Sequence, residues 1–219
     1  MLAVIWKDIM LESRGRETIS ALFVLGVVIL LIFNFAVDVG SDEIERMAPG
    51  MLWIAIVLSA MLGLGRIFLI EKENGCMTAL VLSPIDRGGL FIAKLLVNLL
   101  LLIVFEAMLV PVFILLFDLD VGANALNLAV VLGAGSLGLA ATGTLFALAA
   151  LGTRARELML PLIVLPLQIP LLIAAVKATD IVLRSGSLAD LGAWGSILAA
   201  FDVIFVTVGW LAFEFITVD

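Results

Sequence analysis

The sequence predicts an all-α integral membrane protein with six transmembrane helices, and three observations carry that prediction. First, 64% of the 219 residues are hydrophobic and 14% are charged, against roughly 45–50% and about 25% in soluble globular domains. Mean hydropathy is +1.30. A chain of this size exposes much of its surface, and so few charges cannot cover it in water. Second, six stretches reach the ~20 apolar residues that a bilayer core of about 30 Å requires: 18–37, 51–70, 95–117, 128–151, 158–176 and 191–213. Third, runs such as Leu99 to Leu102 lack the alternation of apolar and polar positions that marks a transmembrane β-strand.

Absent residue types remove whole classes of chemistry. There is no His and no Tyr, which excludes Ser-His-Asp and Cys-His catalysis and every imidazole-based metal site, haem ligation included. Cys76 is the one cysteine, so no intrachain disulfide forms. No G-x-x-x-x-G-K-[ST] phosphate loop occurs, and Gly88-Gly89 is no substitute for one. Without paired carboxylates at catalytic spacing or a cluster of metal ligands, the chain reads as non-enzymatic, with no bound cofactor. Disorder, a secreted disulfide scaffold and nucleic-acid binding all fit poorly. The net charge of −7 is spread over loops and ends.

Each span has its own justification. The first follows Lys7, Arg14 and Arg16, as a signal peptide would, but its apolar run is too long and no Ala-x-Ala cleavage site follows. It reads as a retained helix. Lys7, Arg14, Arg16, Arg66, Lys72, Arg87, Lys94, Arg154 and Arg156 fall on the N-terminal side, and Arg46, Lys177 and Arg184 on the other. Nine against three places both termini in the cytoplasm. Trp53, Trp194 and Trp210 fall at expected helix ends and Trp6 just before the first helix, where interfacial aromatics belong.

Residues 1–17 precede the six-helix transmembrane part of the chain, 18–219. They read as an amphipathic interfacial helix, with Leu2, Ile5, Trp6, Ile9 and Met10 on one side and Lys7, Asp8, Glu12 and Arg14 on the other. Its plain role is an anchor; its sharper one is a docking surface. Residues 71–94 form the longest cytoplasmic loop and contain a short apolar helix at 76–82, broken by Ser83-Pro84 and followed by a turn at Asp86-Arg87-Gly88-Gly89. A mere connection could be much shorter. A short apolar helix flanked by charge suits contact with a soluble motor, or simple rest in the interface.

Two carboxyl groups stand alone in apolar helices: Glu106 in the third span and Asp202 in the sixth. Either costs about 2.5–3.5 kcal/mol at the bilayer centre on the insertion scale, so each faces the bundle, a cavity or a partner. No Lys or Arg lies at matching depth. The carboxyls are therefore expected to be protonated, or paired with polar groups such as Asn34, Asn98 or Gln168. Pro111 marks a kink in the third span, and Pro161, Pro166 and Pro170 surround Gln168 in a fifth span expected to be kinked or partly broken. The fourth span is dense in Gly, Ala, Ser and Thr, with Ala134 and Gly138 as a small-xxx-small pair, which calls for close packing of another helix.

Taken in order, PGMLWIAIVLSAMLGLGRIFLIEKENG, LVLSPIDRGGLFIAK, FEAMLVPVFILLF and GLAATGTLFALAALGTRARELMLPLIVLPLQIPLLIAAV resemble the CcmB family. These are the haem exporter B permeases of cytochrome c maturation, related to ABC-2 type membrane subunits. The resemblance runs from residue 1 to about 215. It implies a six-helix permease of the bacterial inner membrane that forms a homodimer and docks a soluble ABC ATPase subunit. It also implies haem-handling membrane partners and a periplasmic haem chaperone, with haem as the handled substrate, either exported or released with its chaperone. Arg66, Glu71, Glu73, Gly75, Ser83, Pro84, Arg87 and Lys94 then match the family's cytoplasmic coupling segment; Leu80 and Leu82 of the short apolar helix at 76–82 lie within the same loop. Glu106 and Pro111 match its acidic third helix. Arg154, Arg156, Glu157, Pro161, Pro166 and Pro170 match its fourth-to-fifth junction, while Asp202 matches no motif.

Two other readings stand beside this one: an ABC-2 permease for a lipid, glycan or drug, and a membrane scaffold without transport. The charge bias is open to direct test. A reporter fused after Asp219 is expected to read cytoplasm and one inserted beside Asp42 the outside; a C-terminus on the far side would mean an odd number of spans.

Overall fold

The computed structural model describes residues 17–36, 41–73, 87–149 and 156–216. Within them the regular elements are six α-helices and two short 3-10 turns. The helices are α1 Glu17–Ala36, α2 Ser41–Glu73, α3 Arg87–Phe117, α4 Ala125–Ala149, α5 Arg156–Ser185 and α6 Gly192–Ile216. All six are long and apolar enough to cross a membrane; the chain is a multi-pass, all-α membrane protein. The interfacial helix expected at 1–17 falls, but for residue 17, outside the described residues, as does the short helix at 76–82.

Several helices outrun the apolar stretches that announced them. α2 begins at Ser41, passes through Pro49 and reaches Trp53 only in its fourth turn; α5 continues nine residues past Val176 to Ser185. Apolar length measures the hydrocarbon to be crossed, whereas backbone hydrogen bonding continues until a turn residue stops it. The stops are visible where chain reversals occur. After α3, Asp118 takes a left-handed conformation (φ 49°), and the Leu119 N–H returns to the Ile114 carbonyl at 3.1 Å, closing the helix end. After α5, Gly186 (φ 72°) does the same, its N–H bonding the Val182 carbonyl at 3.0 Å.

The bundle is built around α4. Helices α2, α3, α6 and α5 each touch α4 and each touches the next, so they close a ring about it. α1 lies outside the ring, against α2 and α3. Burial follows: 72% of the α4 span is enclosed, against 17% of the α1 span. The reason is in the residues. Among lipid tails there is no hydrophobic drive to bring apolar helices together, so close approach at small residues must do it. At Gly135 an added Cβ would lie 2.1 Å from the Trp53 indole of α2, and at Gly138 2.8 Å from both the Asp202 carboxyl of α6 and Leu171 of α5. The small-residue face expected for close packing is used in this way.

Trp53 departs from expectation. Read as an interfacial anchor, it is instead 1% exposed, with its indole N–H donating to Thr179 Oγ1 of α5 at 2.9 Å. The glycine opposite provides the room, and the early start of α2 carries the ring inside the bundle. Lys94, placed by sequence at the end of a loop, lies seven residues inside α3 and is buried.

Gly135→Leu is expected to cost about 1–3 kcal/mol or more through overpacking, read as a lower unfolding midpoint in mixed detergent. Gly133→Ala, where a Cβ meets nothing within 4 Å, is expected to leave the midpoint in place. Equal loss in both would mean that α4 is not tightly enclosed at Gly135.

Candidate functional site

Polar groups buried among apolar helices must find partners, because an unmet hydrogen-bonding group in hydrocarbon costs several kcal/mol. In this bundle the partners are provided chiefly by α4. Ser136 donates its hydroxyl to Glu106 Oε1 of α3. Asn98 of α3 donates to Thr144 Oγ1 at 2.7 Å, and Gln168 of α5 donates to Thr142 Oγ1 at 2.9 Å. The Thr142 hydroxyl in turn donates to the Gly138 carbonyl at 2.8 Å. All of these side chains are buried.

The three intramembrane polar residues singled out by sequence are therefore inside the bundle, but they do not form one site. Ser136 turns toward α3 and receives Glu106, whereas Gly138, two residues on and so on nearly the opposite side of the helix, receives Asp202. Asp202 is 8% exposed, and its Oδ1 has no hydrogen-bond partner among the described residues. Gln168 shares its side of α4 with Asp202, since Thr142 lies one turn from Gly138. The expected pairings with Asn34 and Asn98 are replaced: Asn34 donates to the Leu116 carbonyl at 2.8 Å, and Asn98 to Thr144. A hydroxyl on the nearest turn of α4 reaches Glu106 instead.

The prolines are placed by the same geometry. α5 runs as one helix through Pro161, Pro166 and Pro170, so the partial break expected there is absent. Pro166 and Pro170 face outward while Gln168 faces inward, fully buried; the missing proline N–H groups thus fall on the side away from the polar contacts. α3 likewise continues through Pro111. Of the coupling-segment residues, Glu71 and Glu73 lie in the last turn of α2 and Arg87 opens α3. Gly75, Leu80, Leu82, Ser83 and Pro84 lie outside the described residues.

Sequence reading missed Ser136, Thr142, Thr144 and Thr179 as partners, taking the first three only as small residues. Their hydroxyls were the available signal, each within a long helix where a buried polar side chain of a neighbouring helix needs a partner. Among the described residues no group of acidic or cysteine side chains could hold a metal ion. Between α3 and α4, beside Glu106, a cleft of about 320 Å³ remains.

Fold and site together define a polytopic helical membrane protein whose buried polar groups bond across its helices and leave a cleft open beside Glu106. The family model described as "CcmB protein" matches residues 1–216, and the chain belongs to that family. It is 32% identical to heme exporter protein B of Bradyrhizobium diazoefficiens across 94% of this chain and 92% of that protein. It is 33% identical to heme exporter protein B of Pseudomonas aeruginosa across 75% and 73%. With heme exporter protein B of Haemophilus influenzae it shares 32% identity across 84% and 85%.

Glu106→Gln is expected to keep an acceptor for Ser136 and to yield normal amounts of monodisperse protein on size exclusion. Glu106→Lys sets an ammonium in the same place, at a cost of about 2.5–3.5 kcal/mol, and is expected to lower that yield sharply. Equal yields would show that Glu106 is not enclosed.

Proposed function

We propose that this chain is the membrane subunit of an ABC transporter that exports haem, or delivers it across the bacterial inner membrane, for c-type cytochrome maturation. The likeness to heme exporter protein B along nearly the whole of both chains carries the reading. With no phosphate-binding loop in the sequence, ATP must be hydrolysed in a separate soluble subunit, and the permease must meet that subunit on the cytoplasmic side. Two copies of the chain, haem-handling membrane proteins and a periplasmic haem chaperone complete the proposed assembly.

With both termini in the cytoplasm, α2 descends to that side and α3 leaves from it, so the stretch from Glu71 to Arg87 joins their cytoplasmic ends. Leu80 and Leu82 are its proposed apolar anchors to the motor, with Glu71, Glu73, Gly75, Ser83, Pro84 and Arg87 around them. From Arg87, α3 carries Asn98 and Glu106, both bonded to α4. A push on the loop would therefore reach the central helix through α3.

Replacing Leu80 and Leu82 together with Asp removes the anchors and adds like charge to the interface, costing about 2–4 kcal/mol of binding as buried hot spots do. Membrane levels are expected to stay normal while the copurifying ATPase and mature c-type cytochrome are both lost. Retention of both would remove the coupling role from this loop. Normal c-type cytochrome in a strain deleted for the gene would remove the proposed function itself and favour a permease for another substrate.

A further inference from the structure

On the side that the charge bias assigns to the cytoplasm, α3 and α6 are held together by rings seated on glycines. α3 has Gly88 and Phe91 near its start, and α6 has Gly209, Trp210 and Phe213 near its end. Gly88 and Phe91 are three residues apart, and Gly209 and Phe213 four, so each pair shares one helix face. The two faces interlock. A Cβ at Gly88 would lie 2.0 Å from Nε1 of Trp210, and one at Gly209 would lie 2.1 Å from Cζ of Phe91. Phe91 also meets Phe213, with ring centroids 5.9 Å apart. Both glycines and both phenylalanines are buried. At Gly135 the exchange runs one way, with Trp53 as the ring; between α3 and α6 each helix gives a ring and receives one.

Such a contact is stiff. Glycine is unfavourable inside a helix, and in return it permits an approach that any side chain would block. A ring seated against backbone cannot slide along the axis without striking the next turn. Drawing it away by about 0.5–1 Å forfeits roughly a quarter to a half of the attraction between the atoms concerned. The place of the contact in the chain matters as much. Gly88 directly follows Arg87, where the loop from Glu71 ends, whereas the first hydrogen bond from α3 to α4, at Asn98, comes about 15 Å further along the axis. A displacement of Arg87 therefore meets α6 before it meets α4. α6 in turn carries Asp202, about two turns from Gly209, against Gly138 of α4.

We propose that the paired ends of α3 and α6 are a rigid joint, and that a stroke delivered to the loop is passed to α6 through Phe91 and Trp210, seated on Gly209 and Gly88. Phe91, Trp210 and the two glycines are thus positioning residues, acting through α6. The proposal rests on the coupling role given to the loop above.

The test expresses the full chain with its copurifying ATPase and reads four quantities: membrane level, bound ATPase, ATP turnover of the purified complex, and mature c-type cytochrome. Gly209→Leu drives the Phe91 ring off its seat, and Phe91→Ala removes the ring. Each is expected to keep the first three quantities and to lower mature cytochrome about tenfold, as broken coupling through packed side chains allows. The double variant Gly209→Leu/Phe91→Ala exchanges knob and hole and is expected to restore the yield. If Gly209→Leu alone lowers the membrane level, Phe91→Ala, which adds no bulk, is read in its place. Lowered membrane levels in both single variants would make the contact a folding element only and overturn the proposal. So would normal cytochrome in both, loss of the bound ATPase, or no recovery in the double variant. Normal cytochrome with Leu80 and Leu82 both replaced by Asp would overturn the coupling reading and the proposal with it; loss there beside normal yield in Gly209→Leu and Phe91→Ala would overturn the joint alone.

Discussion

The structure depends on how closely α4 allows its neighbours to approach. In water, apolar helices associate because burial removes surface from solvent; in a bilayer the tails are as apolar as leucine, and that drive is gone. What remains is dispersion at short range and hydrogen bonding between helices. α4 provides both from a small set of residues. Gly135 and Gly138 admit an indole and a carboxyl almost to the backbone, and Ser136, Thr142 and Thr144 offer hydroxyls where larger polar side chains arrive. A bulkier α4 would push the ring of α2, α3, α6 and α5 apart, and the polar groups on that ring would then lose their partners as well.

Close approach and polar pairing are therefore one arrangement seen twice. Trp53 shows it well: its ring lies on Gly135 of α4 while its N–H reaches Thr179 of α5, so one side chain ties together three helices. Asp202 is the counterexample. It gains the close approach, at Gly138, without a partner for Oδ1 among the described residues. Glu106 differs from both, since its carboxyl joins a firm contact to an open cleft. Of the two buried carboxyls, one closes an interface and the other borders a space.

The fold was legible because hydrocarbon imposes a length and a composition on whatever crosses it, and all six apolar stretches announced helices. Helix ends were less so, since a helix such as α5 continues through Lys177 and Asp180 into territory that hydropathy does not mark. The inward placement of Glu106, Gln168 and Asp202 could be argued from cost alone. Their partners could not: Ser136 lies 30 residues from Glu106, and only the registry of two packed helices brings them level. The prolines of α5 were expected to kink or partly break it; the helical conformation runs on through them, with Pro166 and Pro170 turned outward and the inner face left to Gln168.

The place of α4 in the chain also bears on how the protein is made. Synthesis proceeds at about 5–20 residues per second, so the 30 residues between Glu106 and Ser136 separate their appearance by roughly 2–6 s. Trp53 waits longer for Thr179, 126 residues behind it. The first three helices are thus made before α4, which α2 and α3 come to flank, with a carboxyl and an indole N–H unpaired in the meantime. α1, α2 and α3 already touch one another in the finished fold, which gives the nascent chain a half-built wall to hold together until its centre is translated. The chain thus makes one side of the ring first, then its centre, then α5 and α6 to close it, and membrane insertion has to tolerate that delay.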